Sequence, residues 1–238
     1  MAFDAETRKK LQIVLALGIV IAGAHTAYIV YERHEENTED TAPKSEAPLK
    51  ADYYVTPKKL HPYDLKSARE LTKQPVWVKV GGQITYYPYD RPRHKVDWKD
   101  ETGTLGPLQK LAITDVATDT PPKGGKQVLV LFELDGKSYA APIGVENEGE
   151  FKIYSDDIFF MEDPRVLYKH WPADMWAAVD AHQAKQGMSE LQAGFAIGLG
   201  VPVGSGGYGW RTLRYANGGK PVTITFENDK AVQIRSES

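Results

Sequence analysis

The chain has 238 residues, a formal net charge of −3 and no cysteine. The lack of cysteine excludes thiol catalysis, thiolate metal sites and a lipoprotein cysteine. No stretch combines clustered basic residues with interleaved aromatic residues, which argues against a nucleic acid as partner. The length allows two small hydrophobic cores.

An uncharged, apolar run, Leu11–Tyr31, lies near the N-terminus. A helix of about 20 apolar residues crosses about 30 Å of hydrocarbon, so the run predicts one transmembrane helix. The competing interpretation is a cleaved signal peptide, since Arg8–Lys10 precedes the run and Ala22–Ala24 resembles a cleavage site. The run continues past that site, which is longer than a usual signal-peptide core and favours a retained anchor.

The flanks of this run predict its orientation. Arg8–Lys10 is basic, whereas acidic residues dominate after Tyr31. The positive-inside rule then places the N-terminus in the cytoplasm and the globular part in the periplasm, outside the cytoplasmic (inner) membrane. Tyr28 and Tyr31 would lie at the outer interface as an aromatic belt.

The predicted helix also carries features of a docking surface. Gly18, Ala22, Gly23 and Ala27 are small residues at four-residue spacing, which lets another helix approach closely. His25 is the one ionisable group at membrane depth. Its neutral imidazole could ligate the metal of a chlorophyll-type pigment, bond a neighbouring helix or lie at the interface. The first two alternatives imply a partner in the membrane, and no other cofactor is predicted.

The next 43 residues, 32–74, are predicted to be a charged tether followed by a docking segment. Glu32–Lys50 is charged and contains two prolines, which is typical of an extended, solvated linker. Tyr53–Leu60 is instead aromatic and proline-containing. Tyr53 and Tyr54 are therefore candidate interface residues.

Residues 75–163 predict a small all-β barrel, with a sandwich as the alternative, because short strand-like runs are separated by turn signals. Asp135-Gly136 is one such turn, since both residue types accept a positive φ. The layout resembles a Src-homology-3-like barrel in pattern only. The predicted strands are Val76–Val80, Gln83–Tyr89, Leu111–Val116, Gln127–Leu134, Lys137–Ile143, Phe151–Tyr154 and Ile158–Phe160.

Residues 164–238 predict an α+β domain with two helices and a three-stranded antiparallel meander. The first helix is expected over Pro172–His182, where apolar residues recur at helical spacing. Ser189 and Gln192 form a capping box that begins the second helix, which ends near Leu199. The three strands are expected over Trp210–Tyr215, Lys220–Glu227 and Lys230–Arg235.

The motifs of this domain resemble those of a known family. Gly187–Gln192 (GMSELQ), Ile197–Pro202 (IGLGVP), a strand at Trp210 and a closing strand Val222–Phe226 are similar to the SmpA/OmlA (BamE-like) fold family. The resemblance covers Trp171–Ile234 and implies a non-enzymatic module with a binding or scaffolding surface. The family's role in outer-membrane assembly is not carried over, because the predicted anchor places this chain in a different membrane.

No catalytic or metal site is predicted. Gly204–Gly209 matches the string G-x-G-x-x-G, but it follows a helix and opens a strand, the reverse of a dinucleotide site. Asp156-Asp157 is expected in a turn or a cap. The histidines of the soluble part form no close metal-binding pair, and no acid/base constellation stands out. These histidines are His34, His61, His94, His170 and His182.

A second group of interface candidates lies in the predicted barrel: Tyr86, Tyr87, Tyr89, Arg91 and Arg93. Tyrosine and arginine are enriched at binding hot spots, and prolines interleave them here. Packing of the tyrosines in a core is an equally open alternative.

Together these features predict a non-catalytic, membrane-anchored accessory subunit that scaffolds a larger complex, with integral-membrane subunits and the lipid bilayer as partners. A photosynthetic reaction centre is one candidate host, since one N-terminal helix before a small β-rich domain is similar in plan to reaction-centre H subunits. The alternatives are an envelope module that binds cell-wall or outer-membrane assembly proteins, and an enzyme with an unrecognised site.

Overall fold

The structure, a computed structural model, describes residues 18, 22–31, 50–79, 84–204 and 206–237. The chain divides into two units, Met1–Lys50 and Ala51–Ser238. The predicted tether up to residue 49 and the basic residues Arg8–Lys10 lie outside the described residues.

In the first unit, Gly18 and residues 22–31 are helical. Within the described ranges, no helix is both long enough and apolar enough to cross a membrane. This finding contradicts the predicted single-pass helix over Leu11–Tyr31. The predicted fold class, which included that helix, and the predicted location in the cytoplasmic membrane are wrong on the same ground.

The second unit is built mainly from β-strands, whose bounds follow. They are β1 (Val76–Val78), β2 (Thr85–Asp90), β3 (Lys95–Val96), β4 (Gly103–Thr104), β5 (Lys110–Leu111), β6 (Ile113–Asp119), β7 (Lys126–Leu134), β8 (Lys137–Asn147), β9 (Glu150–Ile153), β10 (Phe159–Phe160), β11 (Gly200–Pro202), β12 (Trp210–Tyr215), β13 (Val222–Glu227) and β14 (Lys230–Ser236).

Five α-helices and three 3₁₀ helices accompany these strands in the described part of this unit. The α-helices are α1 (Leu65–Ala68), α2 (Ser155–Ile158), α3 (Pro164–Leu167), α4 (Ala173–Asp180) and α5 (Glu190–Ile197). The 3₁₀ helices are Ala51–Tyr54, Arg69–Lys73 and Asn217–Gly219.

The first half of this unit has two sheets. The larger one has the order β3-β2-β8-β7-β6, with β4 paired to β2 and β9 paired to β8. In the smaller one, β1 lies between β10 and β5. The long β7–β8 hairpin turns at Asp135 and Gly136, with φ of 50° and 73°, which confirms that turn. The larger sheet has seven strands and the smaller one has three, so this half contains ten strands where the sequence predicts seven.

One strand prediction is wrong at its start. Ile158 ends helix α2, so the predicted strand Ile158–Phe160 is reduced to the two residues of β10. Helix α2 also contains Asp156 and Asp157, which were expected in a turn or a cap. The reason is a long-range interaction, because Asp156 binds the backbone of residues almost a hundred positions earlier.

The second half has a four-stranded antiparallel sheet in the order β11-β12-β13-β14. The predicted meander has three strands, and β11 adds a fourth because Gly200, Val201 and Pro202 pair with β12. The capping box of Ser189 and Gln192 is confirmed at the start of α5.

Two main cores fill this unit. The first lies within the β1–β10 region, and its largest fully buried side chains include Phe132, Phe159 and Ile143. The second lies between the four-stranded sheet and helices α4 and α5, with Tyr215 and Phe226 among its members. Phe160 belongs to the second core while its neighbour Phe159 belongs to the first, so strand β10 joins the two.

Candidate functional site

The second unit begins with residues 51–63, which we name the tyrosine segment. It opens as the 3₁₀ helix Ala51–Tyr54 and continues without helix or strand. Val55 packs against the core beside α4 and α5, and Leu60 packs against the core of the larger sheet. Pro62 is buried. The segment therefore contacts both cores, through Val55 near its start and Leu60 near its end.

Asp52 attaches the start of the tyrosine segment to His170 and Trp171. Its Oδ1 accepts a hydrogen bond of 2.7 Å from Trp171 Nε1 and lies 2.5 Å from His170 Nε2. Trp171 is buried in an aromatic cluster, with its ring 4.7 Å from that of Tyr168. A carboxylate that accepts two N–H groups makes stronger hydrogen bonds than a neutral acceptor does. These contacts hold the backbone around Asp52 against a buried part of the fold.

Two further carboxylates hold the end of the segment. Asp156 accepts the backbone N–H groups of Leu60 and His61, each at 2.8 Å. Glu162 accepts the backbone N–H of Lys58 at 3.0 Å. Backbone groups that would otherwise bind only water are thus bound to α2 and to the chain after β10. The segment is fixed at both ends.

The outward face of the tyrosine segment is aromatic and basic. Tyr53, Tyr54 and Tyr63 are 72%, 70% and 76% exposed. Lys58 and Lys59 are also exposed. Large tyrosine side chains of this kind are typical of protein-binding hot spots once a partner covers them. Two of the three tyrosines were candidates from sequence, and the third, Tyr63, was missed although Pro62 beside it repeats the aromatic-proline signal.

The interface candidates of strand β2 lie in a different setting. The ring of Tyr86 is 5.9 Å from Phe132 and belongs with the first core. Tyr87 packs on Trp98, with ring centroids 5.1 Å apart, and Tyr89 is buried in the same small cluster. Tyr86 and Tyr87 are thus half-buried, and Tyr89 is buried.

The two arginines near them make ion pairs. Arg91 Nη2 lies 2.8 Å from Glu133 Oε1, and Arg93 Nε lies 3.6 Å from Asp90 Oδ2. Both side chains stay largely exposed, so these are surface pairs of small energetic weight. Of the five candidates, Tyr89 and Arg91 line one cavity of about 270 Å³ together with His94.

The candidates of the N-terminal helix are exposed within the first unit. They are Gly18, Ala22, Gly23, His25, Ala27, Tyr28 and Tyr31. A Cβ built on Gly18 or Gly23 would have no atom within 4 Å. The pigment contact proposed for His25 stays a prediction.

The described residues can be compared with the requirements of a metal site and of a catalytic cavity. They contain no group of three histidine, aspartate or glutamate side chains placed to hold a metal ion. A cavity of about 430 Å³ is lined by Trp77, Arg165, Asp180 and His182 among others. Arg165 is paired with Asp180, and His182 Nδ1 lies 3.1 Å from the carbonyl oxygen of Ala196. Each of these three side chains therefore has a partner within the chain.

No family model, no curated protein and no solved structure matches the chain. The resemblances to the SmpA/OmlA (BamE-like) family, to a Src-homology-3-like barrel and to reaction-centre H subunits stay predictions.

Proposed function

We propose that this chain is a non-catalytic binding module that holds a partner protein on its tyrosine segment. The observation that carries the proposal is the exposure of Tyr53, Tyr54 and Tyr63 on a backbone that three carboxylates fix in place. Of the role predicted from sequence, the proposal keeps the part that needs no membrane anchor, which is the assembly or stabilisation of a larger complex.

The rigidity of the segment favours binding. Association costs free energy for every loop and side chain that becomes ordered in the complex. The hydrogen bonds from Trp171, Leu60 and Lys58 already fix the backbone, so that part of the cost is met during folding. Tyrosine itself has few rotatable bonds and offers a large contact area with one hydrogen-bonding group.

The charge of the segment narrows the class of partner. Lys58 and Lys59 lie between the exposed tyrosines and add two positive charges, and His61 is exposed next to them. An acidic surface complements this arrangement, and electrostatic attraction of exposed charges weakens with salt. We therefore infer a protein partner with an acidic patch that has aromatic or apolar residues at its centre.

A site-specific cross-linking experiment tests this proposal. A photoreactive phenylalanine derivative replaces Tyr54 in the full chain, and the protein is irradiated in the cells that naturally produce it. We expect one discrete cross-linked protein, which disappears in the background of Tyr53→Ala with Lys58→Glu and Lys59→Glu. Its binding in purified form should weaken as salt concentration rises.

The control places the same derivative at Tyr208, a fully exposed tyrosine in the loop between β11 and β12. We expect no such product from that position. Identical cross-links from residues 54 and 208, or binding that survives the triple substitution unchanged, would overturn the proposed function. Circular dichroism of each variant separates loss of binding from loss of folding.

A further inference from the structure

Strands β12 and β13 are joined by residues 216–220, which we name the Asn217 turn. It contains the 3₁₀ helix Asn217–Gly219. Asn217 is the one asparagine of the chain that a glycine follows. Asparagine is among the thermolabile residue types, and a following glycine has no Cβ to obstruct the approach of its nitrogen to the asparagine side chain. The turn is therefore a candidate for covalent modification.

The backbone nitrogen of Gly218 is the nucleophile that this chemistry needs. Gly218 is exposed, and within the described part of the chain its N–H donates to no acceptor. The turn is closed by two other bonds, from the Gly219 N–H to the Ala216 carbonyl at 3.0 Å and from the Lys220 N–H to the Asn217 carbonyl at 3.1 Å. Water and hydroxide can therefore reach the Gly218 N–H without breaking either bond.

The side-chain amide of Asn217 is the group that would be attacked. Its Cγ and the Gly218 nitrogen belong to neighbouring residues, so rotation about the bonds between them brings the two atoms together. Gly218 has φ of 60° and ψ of 31°, a conformation that glycine adopts without strain. The reaction therefore needs no group from another part of the fold.

A second turn of the same sheet supplies a comparison. Asn228 and Asp229, between β13 and β14, have φ of 49° and 62°, close to the 44° of Asn217 and the 60° of Gly218. The Asn228 N–H donates to the Gly209 carbonyl at 2.7 Å, and Asp229 Oδ1 accepts the Glu190 N–H at 2.9 Å. An asparagine in the same left-handed conformation is thus followed by a residue with a side chain, a negative charge and a contact to α5.

We propose that Asn217 is a site of spontaneous deamidation through a succinimide. Hydroxide removes the proton of the Gly218 nitrogen, and this nitrogen then forms a bond to Asn217 Cγ. The bond from Cγ to the side-chain nitrogen breaks, and that nitrogen takes a proton from water and leaves as ammonia. Water next opens the ring at either of its two carbonyl carbons, which gives aspartate or isoaspartate at position 217. The sequence of steps consumes no oxidant, reductant or cofactor.

The modification changes a cavity of about 330 Å³ beside the turn. Asn217 is one of its lining residues, and none of the described residues that line it is ionisable. A carboxylate at position 217 places a negative charge at this uncharged wall. Isoaspartate also inserts a carbon atom into the backbone, which disturbs the bond between Lys220 and Asn217. This site is separate from the tyrosine segment and does not depend on the proposed protein partner.

Incubation of the purified full chain, followed by peptide mapping with mass spectrometry, tests the proposal. We expect Asn217 to convert into two products of equal mass, aspartate and isoaspartate, while Asn228 stays unchanged over the same interval. The conversion should become about tenfold faster for each unit of pH, since the deprotonated fraction of a very weak acid grows in that proportion. The converted chain should elute from an anion exchanger with the Asn217→Asp variant, which carries the same added charge.

Gly218→Asp is the matched variant, because it gives Asn217 the same neighbour as Asn228 at a position of similar φ. It should reduce the conversion of Asn217 to the level of Asn228. Asn217→Gln is the second variant; it keeps an amide but requires a larger ring, so position 217 should stay unmodified. Circular dichroism shows that each variant is folded. Conversion of Asn228 without that of Asn217, a rate that does not change with pH, or unchanged conversion in folded Gly218→Asp would each overturn the proposal.

Discussion

Trp171 Nε1 donates a 2.7 Å hydrogen bond to Asp52 Oδ1, although 119 positions separate the two residues in the sequence. The bond joins the first turn of the tyrosine segment to a buried aromatic cluster beside α4. His170 contacts the same carboxylate oxygen. One aspartate thus positions the exposed Tyr53 and Tyr54 that follow it.

Asp52→Ala should release the start of the tyrosine segment. The variant loses a hydrogen bond to a charged acceptor and leaves Trp171 Nε1 without a protein partner, which should cost about 1–2 kcal/mol of folding free energy. Urea unfolding followed by tryptophan fluorescence measures that cost. Hydrogen exchange should become faster in residues 51–57, while β7 and β8 keep their protection.

Asp52→Asn is the graded control, because its amide oxygen can still accept from Trp171. We expect it to lose less stability than Asp52→Ala. If Asp52→Ala leaves both the unfolding free energy and the exchange rates of residues 51–57 unchanged, the segment is not held by this contact.

Tyr215→Phe should stabilise the protein. The phenol oxygen is buried and unpaired, so its removal relieves a desolvation cost of about 1 kcal/mol or more while the ring keeps its packing. Denaturant titration should therefore show a higher midpoint for the variant. Tyr89→Phe is the comparison, because the Tyr89 hydroxyl lies 3.5 Å from His94 Nδ1 and has a partner to lose. A lower midpoint for Tyr215→Phe would show that the hydroxyl is satisfied in solution.

Local signals predicted the features that depend on local geometry. The capping box of Ser189 and Gln192 and the Asp135-Gly136 turn follow from residue types a few positions apart. The long hairpin β7–β8 follows from the apolar runs on each side of that turn. The residues that stabilise the capping box, the turn and the hairpin are the same residues that form the sequence pattern of each.

Features that depend on distant residues were not predictable in the same way. Asp156 belongs to a helix because its carboxylate binds the backbone of Leu60 and His61, and no local pattern encodes that contact. The tyrosine segment is likewise fixed by residues from the second half of the chain. The apolar run at the N-terminus suggested a membrane span from its composition and length alone, but within the described part of the chain no helix is long and apolar enough to cross a membrane.

Gly144→Ala should destabilise the edge of the larger sheet. A Cβ at this position of β8 would lie 2.4 Å from the carbonyl oxygen of Lys152 and 2.9 Å from Ile153 Cα. Both are backbone atoms of the neighbouring strand β9. The strands must move apart, which should cost about 3 kcal/mol. Chemical denaturation measures the loss. Gly125→Ala, where the Cβ meets no atom within 4 Å, should change stability little, and equal effects of the two substitutions would contradict the steric argument.

Asp119 should make stability depend on pH in the acid range. Burial by itself raises the pKa of this carboxyl, but hydrogen bonds from the Val96 N–H, the Lys95 ammonium and the Thr120 N–H outweigh it, so the pKa lies below its ordinary value. A folded-state pKa below the unfolded one contributes stability that is fully present above the unfolded value, about 3.9. That contribution is lost as the pH falls through the lower, folded value.

Asp119→Asn tests this sign. Near neutral pH the variant should be about 2 kcal/mol less stable than the natural chain, because one neutral oxygen replaces a carboxylate that accepts several N–H groups. The difference should shrink as the pH falls below about 4, since the natural side chain then becomes neutral as well. Glu150→Gln, at an exposed position of β9, serves as the control and should show a small difference at every pH. The difference in unfolding free energy between Asp119→Asn and the natural chain should not stay constant as the pH falls. A constant difference down to the acid limit of folding would show that the carboxylate charge does not stabilise the fold.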